Sequence, residues 1–95
     1  MKVRWASQAE RDRADIMEHI AEDNIAAAIA MDELFSAAAA RLAEFPMLGK
    51  PGQVAGTREL VPHESYRLIY EIDDADQTVW VLTVVHTARR WPPLR

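Results

Sequence analysis

Residues 65–86 read SYRLIYEIDDADQTVWVLTVVH, and this stretch decides the fold. Polar and apolar side chains alternate from Ser65 to Asp73, which predicts a strand with one buried face. The segment Thr78 to His86 is almost wholly apolar, as in a central strand that is covered on both faces. Between them, Asp73 to Gln77 predicts an acidic turn. The two strands therefore predict the middle of an antiparallel sheet.

The alternation also assigns the side chains of the first of these strands to faces. One face carries the aromatic and aliphatic side chains of Tyr66, Leu68, Tyr70 and Ile72. The other face carries Arg67, Ile69 and Glu71. An apolar face of this kind has to be buried against another layer of the protein.

Two predicted helices supply that layer. The capping box Ser7-Gln8-Ala9-Glu10 predicts a helix from about Gln8 to Glu22. Asp23-Asn24 ends this helix and caps a second one, from about Ile25 to Glu44. Because the turn is so short, residues 8–45 form an αα-hairpin. Apolar residues at spacings of three and four predict the core stripe of the second helix: Ala28, Met31, Phe35, Ala38, Leu42 and Phe45.

The rest of the chain supplies the remaining elements. Residues 1–6 predict a short N-terminal strand, and glycines and prolines mark residues 46–56 as a loop. Residues 57–86 form a three-stranded antiparallel part, whose first strand runs from Thr57 to Val61. Pro62 either ends this strand or places it beside an edge of the sheet. Residues 87–95 are a basic C-terminal tail. The order β-α-α-β-β-β predicts a single α+β domain, residues 1–95, with the helical hairpin on one face of an antiparallel sheet.

Composition excludes several function classes. The chain has 95 residues, no cysteine and a formal net charge of −4. Without cysteine there is no disulfide framework, thiolate metal site or cysteine nucleophile. An acidic chain is a poor general binder of phosphate backbones. We expect a cytoplasmic protein without membrane contact, since we find neither a secretory signal nor a long apolar run. No motif indicates a cofactor or a metal, and we expect neither.

The negative charge belongs to the first half of the chain. Residues 1–45 hold five Lys or Arg and nine Asp or Glu, a balance of −4, whereas residues 46–95 hold six of each. The cations of the second half lie on or just after predicted strands, at Arg58, Arg67, Arg89 and Arg90. If Arg67 and His86 share the face away from the helices, they form a basic surface there. Such a surface can hold an acidic partner or a phosphodiester.

Each of these residues also has an ordinary structural interpretation. Arg67 within a strand often pairs with a nearby carboxylate, here Glu59 or Glu71. His86 at a strand end is often a hydrogen-bonded structural histidine. The run Arg89-Arg90-Trp91 is typical of a solvated tail, although its tryptophan favours an anchor because Trp and Arg dominate interface hot spots.

Four motifs occur in order along nearly the whole chain. The helix pair closes with LAEFP at residues 42–46, and GTRELV follows at residues 56–61. SYRLIY at residues 65–70 is similar to a Y-R-I/L-I/V-Y strand, and VLTVVHTARRWP at residues 81–92 to a V-L-x-V-x-H-x-x-R-x-W-P ending. Together they resemble the RelE/ParE superfamily of toxins from bacterial type II toxin–antitoxin systems.

The resemblance implies a partner. Such a toxin is neutralised by an antitoxin encoded beside it, whose C-terminal segment places a helix on the helical hairpin and often a strand on the sheet. It also implies a higher-order toxin–antitoxin complex. The residues expected to bind the antitoxin are Met17, Ile25, Ile29 and Leu34.

The resemblance implies two activities. RelE-like members cut mRNA in the ribosomal A site, which would make Arg58, Arg67 and His86 the catalytic residues here. ParE-like members inhibit DNA gyrase. The sequence departs from the nuclease pattern, since Thr87 follows His86 and no tyrosine follows Tyr70.

We therefore favour gyrase inhibition over ribosome-dependent mRNA cleavage. A non-toxic protein-interaction module is a third alternative. The residues expected to bind the target are Arg58, Arg67, His86, Arg89, Arg90 and Trp91.

Overall fold

The computed structural model describes residues 1–93, which form two helices and five strands. In chain order they are β1 (Lys2–Trp5), α1 (Ser7–Ala21), α2 (Ile25–Glu44), β2 (Lys50–Pro51), β3 (Arg58–His63), β4 (Tyr66–Asp73) and β5 (Thr78–His86). The predicted α+β fold, with a helical hairpin on one face of a sheet, is confirmed.

The strands form one sheet in the order β1-β5-β4-β3-β2. Strands β2, β3, β4 and β5 pair antiparallel with one another, whereas β1 pairs parallel with β5. The sheet is therefore mixed, where the sequence predicted an antiparallel one. The two helices carry the chain from β1 to the far edge of the sheet, and the strands then return one by one until β5 lies beside β1.

The core lies between the helices and one face of the sheet. Phe35 and Leu42 of α2 are completely buried in one cluster with Leu68 and Tyr70 of β4. The predicted apolar face of β4 is therefore confirmed. Phe45 was expected in the same core, but it is 56% exposed. It is the residue at which α2 ends, and its non-helical backbone takes it off the stripe.

The ends of the two helices differ in how they are capped. Asn24 caps α2 as predicted, since its Oδ1 accepts from the Ala27 amide at 3.0 Å. The predicted capping box at Ser7 is wrong, because α1 already begins at Ser7. The N-cap residue is Ala6, which makes no side-chain hydrogen bond to the helix. The amide of Ala6 donates to the Val81 carbonyl at 2.9 Å, which keeps Ala6 extended beside the sheet.

Two strand predictions also need correction. Strand β3 does not end at Val61 but continues to His63, with a register shift between Leu60 and His63 where Pro62 lies. The segment expected to be loop, residues 46–56, contains the short strand β2, which pairs with the start of β3. Such pairing depends on contacts that are distant in sequence, and no local pattern indicates them.

The side chain of Tyr70 fastens the end of α2 to the sheet. Its buried hydroxyl accepts from the Gly49 amide at 2.9 Å and donates to the Pro46 carbonyl at 2.8 Å. Gly49 lies so close that an added Cβ would be 2.5 Å from the Glu59 carbonyl oxygen and 2.8 Å from the Tyr70 ring. Only glycine fits there, so this contact sets where β2 begins.

We predict that Tyr70→Phe lowers the free energy of unfolding by about 1–3 kcal/mol, because it leaves two backbone groups near the core without a partner. Urea unfolding measures this. The matched control is Tyr66→Phe, since the Tyr66 hydroxyl makes no hydrogen bond within residues 1–93, although the ring is equally part of the core. Equal losses in both variants would contradict the role given to the Tyr70 hydroxyl.

Candidate functional site

Arg67 is held by a buried carboxylate. Its Nη1 lies 3.1 Å from Oε1 of Glu59, whose side chain is 1% exposed, while the Arg67 side chain is 19% exposed. The other carboxylate oxygen of Glu59 accepts from the Gln53 amide at 3.1 Å. The structural interpretation of Arg67, with Glu59 as its partner, is therefore confirmed. The pair commits the Nη1 donor of Arg67 to a carboxylate of the protein itself.

Arg58, the residue before Glu59 in β3, is also occupied, in this case by backbone carbonyls. Its guanidinium donates to the carbonyls of Met47 and Gly49, at 3.2 Å from Nη2 to Met47 O and 3.1 Å from Nε to Gly49 O. Arg58 thus holds the connection between α2 and β2 in place, beside the hydroxyl of Tyr70. Its donors serve the fold.

His86 lies next to Tyr66 on the helix-facing side of the sheet. The two residues are paired in register, and their rings meet edge to face with centroids 5.3 Å apart. Tyr66 in turn packs edge to face on Phe35 of α2. The Nδ1 of His86 accepts from the Ala88 amide at 3.0 Å. His86 is exposed, with one ring nitrogen committed to the chain turn that follows β5.

The expected basic surface of Arg67 and His86 does not form. Arg67 follows Tyr66 in β4 and so points to the opposite face, whereas His86 lies on the face of Tyr66. Arg58 pairs with Tyr70, four residues and roughly 13 Å along β4 from Tyr66. RNA cleavage needs an acid, a base and cations around one phosphate. These three residues do not converge on such a point.

A cavity of about 570 Å³ lies where α1 crosses the end of the sheet. Its polar lining residues are Asp12, Asp15, His19, Tyr66, His86 and Arg89. Asp12 is already committed, since one carboxylate oxygen accepts from the Val84 amide at 2.9 Å and from the Thr83 hydroxyl. The sequence prediction missed the α1 side of this cavity. The spacing of its three polar residues, at i, i+3 and i+7 on one helix face, is the signal that was available.

The C-terminal segment, residues 87–91, folds back on the start of β4. The Thr87 amide donates to the Ser65 carbonyl at 2.8 Å, and the Thr87 hydroxyl donates to the Glu64 carbonyl at 2.6 Å. Nη2 of Arg67 donates to the Arg89 carbonyl at 3.3 Å. The side chain of Arg90 is exposed and that of Trp91 is half-buried. The predicted tail also includes Leu94 and Arg95, which lie outside the described residues.

The residues expected to bind an antitoxin do not form one patch. Ile25 and Ile29 lie one turn apart on α2 and are 68% and 50% exposed. Leu34 is exposed too, but it lies about 140° around the helix from Ile29. Met17 of α1 is half-buried. The exposed apolar surface of the hairpin is therefore centred on Ile25 and Ile29.

Residues 1–93 offer neither a metal site nor a membrane-spanning helix. No group of three or more His, Asp or Glu side chains comes together in a way that could hold a metal ion. Neither α1 nor α2 is both long enough and apolar enough to span a membrane.

The sequence matches the family model described as ParE toxin of type II toxin–antitoxin system, parDE, over residues 3–91. The chain belongs to the ParE toxin family. The resemblance to RelE/ParE toxins inferred from its motifs is thereby confirmed, and the match begins within β1 and covers both helices and strands β2 to β5.

Individual relatives agree with this assignment. The chain is 35% identical over 92 residues to the candidate toxin Y4kP from Sinorhizobium fredii, covering 96% of this chain and 93% of that protein. It is similar to the RelBE2 toxin–antitoxin complex of Mycobacterium tuberculosis, with a TM-score of 0.63, 31% identity, and coverage of 90% and 95%. The chromosomal ParDE system of P. aeruginosa matches in fold, with a TM-score of 0.77, 17% identity and the same coverage.

We predict that Arg67→Met lowers the free energy of unfolding by about 3–5 kcal/mol, because it leaves the Glu59 carboxylate buried and unpaired. The double variant Glu59→Gln/Arg67→Met removes that charge as well and is expected to regain most of the loss. Urea unfolding of the wild type and both variants tests this. A double variant as unstable as the single one would show that the unpaired carboxylate is not the cause.

Proposed function

We propose that this ParE-family toxin arrests growth in the cytoplasm by inhibiting DNA gyrase through a protein–protein contact, and that an antitoxin encoded beside it neutralises this activity. The observation that supports inhibition without RNA cleavage is the separation of Arg58, Arg67 and His86. Arg67 pairs with Glu59, and Arg58 donates to the carbonyls of Met47 and Gly49, so both stabilise the fold.

The segment with Arg89, Arg90 and Trp91 is the proposed contact with the target. It contains no acidic residue, and an exposed guanidinium adjoins a half-buried indole. Arg and Trp are the residue types that most often dominate binding energy at interfaces, because they combine a large contact area with directed donors. The segment is tied to the sheet at Thr87 and Arg89, so little ordering entropy is lost when a target binds.

The helical hairpin is the proposed surface for the antitoxin. Ile25 and Ile29 expose apolar area that a partner helix would cover. Asp32 and Ser36 continue the same face of α2 and bond to Arg13 of α1, so the two isoleucines border the groove between the helices. Two similar solved structures are toxin–antitoxin assemblies, which supports a protein partner. The balance of −4 in residues 1–45 favours a basic one.

We predict that inducing the chain alone in bacteria stops growth and that purified protein inhibits supercoiling by gyrase. Arg90→Ala and Trp91→Ala are expected to raise the concentration for half-inhibition at least tenfold, because they remove the proposed contact. The control is Arg41→Ala, which removes an exposed arginine of α2. Thermal unfolding checks that each variant still folds.

The same induction separates the alternatives. Cleaved messages with unaffected gyrase, abolished by His86→Ala, would replace gyrase inhibition with ribosome-dependent mRNA cleavage. If induction of the chain has no effect on growth, the third alternative, a non-toxic protein-interaction module, would replace the proposed toxin. Toxicity that the neighbouring gene does not relieve would remove the antitoxin from the proposal.

We predict that Ile29→Asp weakens binding of the antitoxin at least tenfold, because it places a charge in the apolar patch. Titration calorimetry with the protein from the neighbouring gene measures this. The matched control is Ala30→Asp, which adds the same charge about 100° further around α2. Equal losses in both variants, or none in either, would contradict the proposed patch.

A further inference from the structure

One guanidinium joins a buried carboxylate to the C-terminal segment. Arg67 uses Nη1 for Glu59, at 3.1 Å, and Nη2 for the carbonyl oxygen of Arg89, at 3.3 Å. The remaining hydrogen bonds of residues 88 and 89, within the part of the chain that the structure describes, return locally to His86. Beyond Thr87, Arg67 is therefore the side chain that hydrogen-bonds this segment to the sheet, within the described residues.

The buried carboxylate of Glu59 sets the orientation of the Arg67 side chain. The Glu59 carboxylate is buried, and the Gln53 amide holds its second oxygen at 3.1 Å, so the carboxylate has one orientation. A guanidinium is planar and rigid, and its donors lie at fixed angles. Once one terminal nitrogen is committed to Glu59, the other points in a determined direction, which here is toward Arg89.

The Trp91 ring is half-buried, and its nitrogen lies on the buried side. The indole Nε1 of Trp91 is buried and has no hydrogen-bond partner within residues 1–93. Nε of Arg67 is also buried without a hydrogen-bond partner among residues 1–93. Arg90, which lies between the carbonyl that Arg67 holds and this indole, is exposed. The arrangement keeps Arg90 in solvent and the nitrogen edge of the adjoining indole against the protein.

We propose that Arg67 is the positioning residue of the C-terminal segment: the buried Glu59 orients it, and it holds residues 89–91 in the arrangement that meets the target. This assigns Arg67 neither to catalysis nor to direct contact with the target. The part that concerns the target rests on the proposed function. The part that concerns the order of the segment does not.

The first experiment measures the order of the segment by NMR. The variant is Glu59→Gln/Arg67→Met, which removes the link without leaving a buried charge. The exchange of the Trp91 indole proton with solvent is expected to accelerate at least tenfold, and the heteronuclear NOE of residues 89–91 to fall toward values typical of a mobile terminus. Trp91→Phe assigns the signal among the three tryptophans of the chain.

The matched control removes the other ion pair found in residues 1–93. Arg13 and Asp32 join the two helices at 2.7 Å, and the Arg13 side chain is 19% exposed, like that of Arg67. Arg13→Met/Asp32→Asn is expected to leave the indole exchange and the NOE values unchanged. Unchanged values in the Glu59/Arg67 variant, or equal changes in both, would overturn the proposal.

The second experiment separates positioning from stability. Arg67→Lys keeps a cation beside Glu59 but has no second nitrogen for Arg89. It is expected to unfold at nearly the urea midpoint of the wild type and still to show the faster indole exchange. Retention of wild-type exchange in Arg67→Lys would overturn the role of the guanidinium fork.

The third experiment concerns the target. In the supercoiling assay, Glu59→Gln/Arg67→Met is expected to raise the concentration for half-inhibition at least tenfold, while its affinity for the antitoxin stays within twofold. Full inhibition by a variant whose segment is mobile would overturn the positioning of the target contact. If the wild-type protein does not inhibit gyrase, the proposed function fails, and the two NMR experiments alone decide whether Arg67 orders the segment.

Discussion

A carboxylate that is buried away from solvent needs a positively charged or hydrogen-bonding partner, and in this protein the buried carboxylate is that of Glu59. Its side chain lies on β3, and Arg67 on the neighbouring strand supplies the charge that makes its burial tolerable. The same pair holds the Gln53 amide before β3 and the Arg89 carbonyl after β5. Two segments at opposite ends of the strand-rich half of the chain therefore depend on one ion pair. Arg67 thereby commits a donor on each of its two terminal nitrogens to the fold.

Two tyrosines of β4 differ in what their hydroxyl groups contact. Tyr66 and Tyr70 lie on the same face, and both belong to the core. The Tyr70 hydroxyl is spent on Gly49 and Pro46, which fastens the end of α2. The Tyr66 hydroxyl has no partner within residues 1–93, and its ring lines the cavity beside His86. The hydroxyl of Tyr70 is thus committed to the fold, whereas Tyr66 borders an open cavity.

Sequence patterns succeeded where the determining contacts are local. The alternation in β4 gave the correct buried face, and Asn24 was correctly assigned as a helix cap. They failed where a distant contact competes. Ser7 does not cap α1 because the backbone of Ala6 is tied to Val81, and Phe45 leaves the core stripe at the last turn of α2. The expected basic surface failed for a different reason: whether Arg67 and His86 share a face depends on the pairing of β4 with β5.

The sequence by itself determined the α+β class, the helical hairpin and the membership in a toxin family, because periodicity and ordered motifs are properties of the chain. It also showed that the net negative charge lies in residues 1–45. Only the tertiary structure decided which cations are available. Arg58 and Arg67 lie in motifs of the family, but their partners, Gly49 and Glu59, are brought to them by strand pairing. A charged side chain is free or committed according to its neighbours in space, and those neighbours are known only once the sheet has formed.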